Sequence, residues 1–195
     1  MARKSYLTSV DELNRLMSRE FDATSTMTVE EQTAKLVELL TQKLIKGYSD
    51  GDGYVYYEIF HELSNVEPDA DKMTASINQV INGETFKDRV RTHVAEKDKA
   101  KFLALCETEF HRNWNQGSSD RAKDIQEKTG MPIVKTWQTQ LDDKVRDTHF
   151  YLQGVTVDSD AKFYTYDGDS ALFPGDFSLA SNDVNCRCYV SYRFK

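Results

Sequence analysis

The sequence contains no run of about 18 apolar residues, so it has no candidate for a membrane-spanning helix. No apolar stretch follows Met1-Ala2-Arg3-Lys4-Ser5-Tyr6, and that segment does not read as a secretory signal. Cysteine is scarce: three residues, an odd number, with no visible disulfide framework, so a reducing cytosolic setting during synthesis is expected. Positive charge is also lacking. The formal net charge is -7, and Lys and Arg are scattered among acidic neighbours. A surface that grips nucleic acid shows a basic domain or stripe, and this sequence has neither, which suits a body placed beside DNA better than one that holds it. There is no internal repeat and no low-complexity tract. What remains is a polar chain of 195 residues, 39% of them apolar, enough for one domain or a domain with a helical extension.

The first half reads as helices. Ser9 followed by Glu12 has the form of a capping box opening a short helix through Phe21, with Val10, Leu13, Leu16 and Met17 on one face. Thr28 with Glu31 repeats the signal, and Leu36, Val37, Leu40, Leu44 and Ile45 follow at helical spacing. Gly47 is expected to end that helix and Asp50-Gly51-Asp52-Gly53 to form a turn. Tyr54 to Leu63 leans to helix. Asp69 is expected to cap a helix carrying Met73, Ile77, Val80 and Ile81 that stops at Asn82-Gly83, and Phe86, Val90 and Val94 mark another. Leu103, Cys106, Phe110 and Trp114 form a core-facing stripe, in which Cys106 reads as a small buried hydrophobe. A separate polar helix is expected from Ser119 to Lys128, closed by Gly130 and Pro132.

The pattern then changes. Ile133 to Thr139 is β-rich and alternates, with Trp137 as a buried anchor. Val155–Val157, Phe163–Tyr166 and Arg187–Phe194 are strand-like, and Asp142 to Leu152 is expected to be a short helix. Helices followed by a small sheet with short connections make an α+β fold, a helical N-terminal half followed by a small antiparallel β-sheet with a short helix. Pro174-Gly175 fits the centre of a type II turn, with Asp176 bonding back to turn amides and Asn185 doing similar work before the last strand.

Two groups here could carry chemistry. On a helix, Asp142, Arg146 and His149 share one face. They could form an acid/base site, with His149 as proton carrier and Arg146 as anion clamp, or a structural network. Cys186 and Cys188 point the same way if they lie on a strand, with Cβ atoms about 6.5–7 Å apart, too far for the 3.5–4.5 Å of a disulfide. They read as packed core residues, as zinc ligands with His149 and one more residue (His111 among the candidates), or as reactive thiols.

In order, Lys135 and Trp137, then Asp142, Arg146 and His149, then Gly154, Phe163, Pro174-Gly175-Asp176 and Asn185-Cys186-Arg187-Cys188 resemble the Mu F-like minor head protein domain of tailed phages and prophages. Segments around Gly83–Val90 and Thr108–Gly117 resemble the region upstream of that motif. Lys144 departs from the family's first arginine, which keeps the charge and loses a bidentate fork. The resemblance implies a Mu F-like α+β domain over residues 83–195, preceded by a helical region over residues 1–82 that could dock a partner. It also implies a minor capsid protein bound to the portal or to inner capsid proteins, near packaged DNA and away from membranes. Such a protein would sit in the virion interior, pass through the host cytoplasm during assembly, and assist head assembly and DNA packaging or ejection. The family's domain carries no well-established enzymatic activity, and no cofactor is expected for this chain apart from the zinc reading above. Some relatives are fused to toxin or ADP-ribosyltransferase domains, for which this chain leaves no expected length. Two further readings stand beside the leading one: a small metal-independent nuclease using His149, Arg146 and Asp142, and a zinc-stabilised binding module.

Overall fold

The computed structural model describes residues 2–195, and the side chains of all of them except residues 2–5 and 7. Part of the segment Met1–Tyr6 therefore lies outside the described residues. The order of elements is helices first, then a small antiparallel sheet with two short helices, so the α+β expectation holds. Among the described residues no helix is long and apolar enough to cross a membrane.

Helix α1 runs Ala2–Ala23 and buries Leu13, Met17 and Phe21. Ser9 is therefore inside the helix and caps nothing: the apolar spacing extends a helix that has already begun. Helix α2 does start at the expected box. Thr28 Oγ1 accepts from the Glu31 amide at 3.3 Å, and the Thr28 amide donates to Glu31 at 3.0 Å. It then runs from Val29 to Phe60, straight through Gly47 and the expected turn at residues 50–53. Helix α3 (Ala70–Ile77) stops earlier than expected; Val80 is exposed, and Ile81 and Glu84 close a tight turn through Asn82 and Gly83, both in left-handed backbone. Helix α4 spans Phe86–Ala95, and α5 runs unbroken over Lys99–Thr129, where two helices were expected.

The glycines explain both long helices. Glycine ends a helix only where the chain has reason to leave it; within a helix it costs about 1 kcal/mol relative to alanine, and close packing can offset that. A Cβ on Gly51 would lie 1.9 Å from the Trp114 carbonyl oxygen, and one on Gly117 would lie 2.1 Å from that of Tyr48. The two helices thus cross backbone to backbone. Ser118 Oγ reaches across to the Gly51 carbonyl at 3.0 Å, and Asp52 pairs with Arg121 through two bonds of 2.6 and 2.9 Å, both side chains buried.

After α5, strand β1 (Ile133–Gln138) forms the centre of a three-stranded antiparallel sheet, flanked by β2 (Thr156–Asp158) and β5 (Tyr189–Phe194). Trp137 pairs with Val190 and is fully buried, as expected. Strand β3 (Phe163–Tyr164) and β4 (Ser170–Ala171) make a separate small ladder, and helices α6 (Asp147–Phe150) and α7 (Ala180–Asp183) are single turns. There are two cores. One gathers Leu13, Met17, Leu36, Leu40, Leu44, Val90, Phe102, Cys106 and Phe110 among the helices. The other gathers Trp137, Leu152, Phe163, Phe173, Phe177, Cys186, Cys188, Val190 and Tyr192 beneath the sheet. Helices α2 and α5 contribute to both, through Val55, Ala122 and Ile125 at the sheet end.

Candidate functional site

The residues of the C-terminal motif converge, though not on a helix. Only Asp147–Phe150 is helical, so Asp142, Arg146 and His149 do not share a helical face; residues 141–146 form a turn and an extended approach instead. The cause is local. Leu141 takes a left-handed backbone, and the Asp142 carboxylate accepts the Lys144 amide at 3.1 Å, an Asx turn that competes with helix. Each residue then goes its own way. Asp142 pairs with both terminal nitrogens of Arg187 at 2.7 and 2.8 Å, on the surface, and the Arg187 guanidinium holds that carboxyl below its usual range. Arg146 donates to the Ser181 and Val184 carbonyls at 2.6 and 2.5 Å and pins α7. Lys144 is exposed.

His149 alone turns inward, 1% exposed, stacked on Phe177 and edge-on to Trp137. Its Nδ1 lies 3.5 Å from Cys186 Sγ and 3.6 Å from Cys188 Sγ. Among the described residues these three are the group of His, Cys, Asp and Glu whose ligand atoms lie close enough to hold a metal, all within 4.8 Å of one another. The cysteines are free, as expected, but not for the expected reason. They precede β5 rather than belong to it, so regular strand spacing does not separate them. Asn185 sets them up. It adopts a left-handed backbone, and the Cys186 amide closes the turn by donating to the Asp183 carbonyl at 3.0 Å. Burial holds the Cys186 thiol well above its usual range, while hydrogen bonding with Cys186 lowers that of Cys188.

His111 is not a fourth member. Its Nε2 donates to the Cys188 carbonyl at 2.7 Å, and burial brings its pKa down to about 4, so it stays neutral and braces the cysteine loop from α5. Cys106 sits in the helical core, as expected.

The loop opposite is built by its turn. Asp176 donates its amide to the Phe173 carbonyl at 3.2 Å around Pro174-Gly175, with Gly175 at φ 97°, the type II arrangement. The Asp176 carboxylate accepts the Leu172 amide at 2.9 Å. Gly154, also left-handed, donates to the Trp137 carbonyl. Lys135 is the surprise of β1: fully buried, its Nζ without a hydrogen-bond partner, 5.4 Å over the Phe163 ring, its pKa brought down by burial to about 8.

Two centres have little signature in the sequence. Asp169 accepts bonds from the Ser170, Ser178 and Leu179 amides, Ser178 Oγ and Asn182; burial would raise its pKa, but these bonds outweigh it and hold the carboxyl far below its usual range. The only signal is the turn dipeptide Asp167-Gly168. Glu109, 1% exposed, pairs with Arg112 at 2.8 Å and with Arg89. These lie beside a cleft of about 330 Å³ between α4, α5 and the loop after Pro174; His149 and the two cysteines do not line it.

Comparison with known proteins gives the arrangement a family. The model of the family described as Phage Mu protein F like protein matches residues 70–191. The NAD(+)--arginine ADP-ribosyltransferase EFV of Enterococcus faecalis (strain ATCC 700802 / V583) is 34% identical over 118 residues, 57% of this chain and 23% of that protein. Minor head protein GP7 of Bacillus phage SPP1 is 32% identical over 93 residues, 48% of this chain and 30% of that protein. The chain thus spans less than a third of the length of either relative. No solved structure matches it. The shared stretch holds β1, the turn of His149, the Pro174-Gly175 loop and the cysteine pair, and with these in place the chain belongs to the Phage Mu protein F like family.

Proposed function

We propose that the protein is a minor head protein of a tailed phage or prophage, a structural component of the virion interior that associates with the portal or with inner capsid proteins. Its family membership, together with its likeness to Minor head protein GP7, carries this reading. It passes through the host cytoplasm during assembly, assists head assembly, and lies near the DNA during packaging or ejection. The likeness to the arginine ADP-ribosyltransferase covers 23% of that protein, and the activity in its name forms no part of the proposal. The side-chain geometry is in keeping with a scaffold. Arg146 is spent on two carbonyls and Asp142 on Arg187, which leaves His149 without the acid/base neighbours that a nuclease would need.

Residues 1–82 are the docking region in this proposal and residues 83–195 the Mu F-like domain. The helical region exposes Met27, Tyr57, Leu63 and Val66. A second exposed group, Phe150, Tyr151, Tyr164 and Tyr166, lies at the sheet end. The test is co-expression with a tailed-phage portal protein, followed by size-exclusion chromatography. The expected result is co-elution that Tyr57→Ser with Leu63→Ser weakens and Tyr151→Ser with Tyr166→Ser leaves intact. The reverse pattern would move the docking surface to the sheet end. No co-elution with portal or inner capsid proteins would defeat the proposal.

A further inference from the structure

We propose that His149 Nδ1, Cys186 Sγ and Cys188 Sγ are three ligands of a zinc ion, with the fourth position open to a small cavity beside Arg146. This is independent of the virion role. Tetrahedral zinc with Zn–S bonds of about 2.3 Å and a Zn–N bond of about 2.0–2.1 Å places sulfur and nitrogen about 3.5–3.6 Å apart. The two distances in the protein are 3.5 and 3.6 Å. A hydrogen bond accounts for one of these contacts, because Nδ1 offers one proton or one lone pair. Two nearly equal contacts from different sulfurs match the edges of a tetrahedron with a shared centre. The same geometry sets the sulfurs about 3.8 Å apart, inside the 4.8 Å that bounds all three atoms.

The surroundings fit the charge and the fourth position. Two thiolates and a neutral imidazole around zinc sum to zero, which suits a buried site. The two thiols reach that state by releasing their protons to solvent as the metal enters. Beside the three ligands lies a cavity of about 10 Å³ lined by Gln140, Lys144, Arg146, Asn185 and Arg187, room for about one water. Open three-ligand sites hold a water there, and cationic neighbours favour its hydroxide or another small anion. The ligand set itself, one imidazole and two thiolates, selects zinc over hard cations.

The experiment measures zinc by mass spectrometry in protein purified without chelators and dialysed against metal-free buffer. Wild type and Cys106→Ala, whose thiol lies in the other core, are expected to carry one zinc per chain. In Cys188→Ser and His149→Ala the affinity is expected to fall by more than about tenfold. Cobalt added to stripped wild type is expected to give the intense visible bands of a tetrahedral site and a thiolate charge-transfer band; this readout needs no variant to fold. Wild type without stoichiometric zinc and without that cobalt spectrum would overturn the site, as would a native disulfide between Cys186 and Cys188.

Discussion

Lys135 shows how far a single residue can depart from its solution chemistry. A lysine in water titrates near 10.5, and burial brings this one to about 8, with the Phe163 ring face a partial substitute for lost hydration. The native state therefore binds fewer protons than the unfolded chain between those values, so stability contributed at this position rises with pH across that window. Below pH 8 both states are charged and the full burial penalty applies. Lys135→Met is expected to raise stability by about 1–3 kcal/mol near pH 7, with the gap to wild type closing as pH climbs toward 10. Denaturant melts of both proteins at pH 7 and pH 9.5 measure it, and a gap that widens with pH would defeat the account. Arg146 makes a second case. Its two carbonyl bonds are strong, but the side chain is partly exposed, so it is not the fully buried network residue for which a loss of about 3–5 kcal/mol is typical. Arg146→Ala is expected to cost about 1–2 kcal/mol, read as a lower melting temperature with portal co-elution reduced only in proportion to the folded fraction.

Element boundaries are legible where a cap states its chemistry locally. Thr28 with Glu31, Asp69, and Gly130 each mark an end that the structure keeps. They are illegible where a residue's reason lies on another helix. Gly47, Gly51 and Gly117 carry the local signature of termination, and their actual partners, Phe110, Trp114 and Tyr48, are far away in sequence. The helix expected over residues 142–152 shrinks to Asp147–Phe150 for the opposite reason: the Asp142 side chain itself bends the start of the stretch into a turn. In the candidate site, the membership of His149, Cys186 and Cys188 can be read from their chemistry, whereas the αL turn at Asn185 that brings the sulfurs to one nitrogen cannot. The glycines separate cleanly in an experiment. Gly53 sits in α2, and a Cβ added there would meet nothing within 4 Å, so Gly53→Ala is expected to stabilise by about 0.5–1 kcal/mol. Gly51→Ala pushes a methyl into a backbone carbonyl and is expected to cost more than about 3 kcal/mol, beyond ordinary overpacking. Equal melting temperatures for the two variants would refute the backbone crossing.

At the scale of the molecule, two cores are strung on the same pair of helices. The helical core holds the first end of α2 and α5 together, and the sheet core holds the other. The first helix adds a tie, since Tyr6 packs on His111 and Trp114, next to the cysteine loop. Unfolding is therefore expected to be one cooperative event. Tryptophan fluorescence, which reports Trp114 and Trp137, and far-ultraviolet circular dichroism, which reports chiefly the helices, should give coincident urea transitions. Two separated midpoints would mean that the cores melt independently. The bare crossing of α2 and α5 also has a consequence for heredity. Every amino-acid replacement of glycine adds at least a Cβ, so positions 51 and 117 have no conservative neighbour in the genetic code. A lineage free to drift over most of its polar surface is confined at these two codons, while the codon for Gly53, two residues from one of them, is open to change.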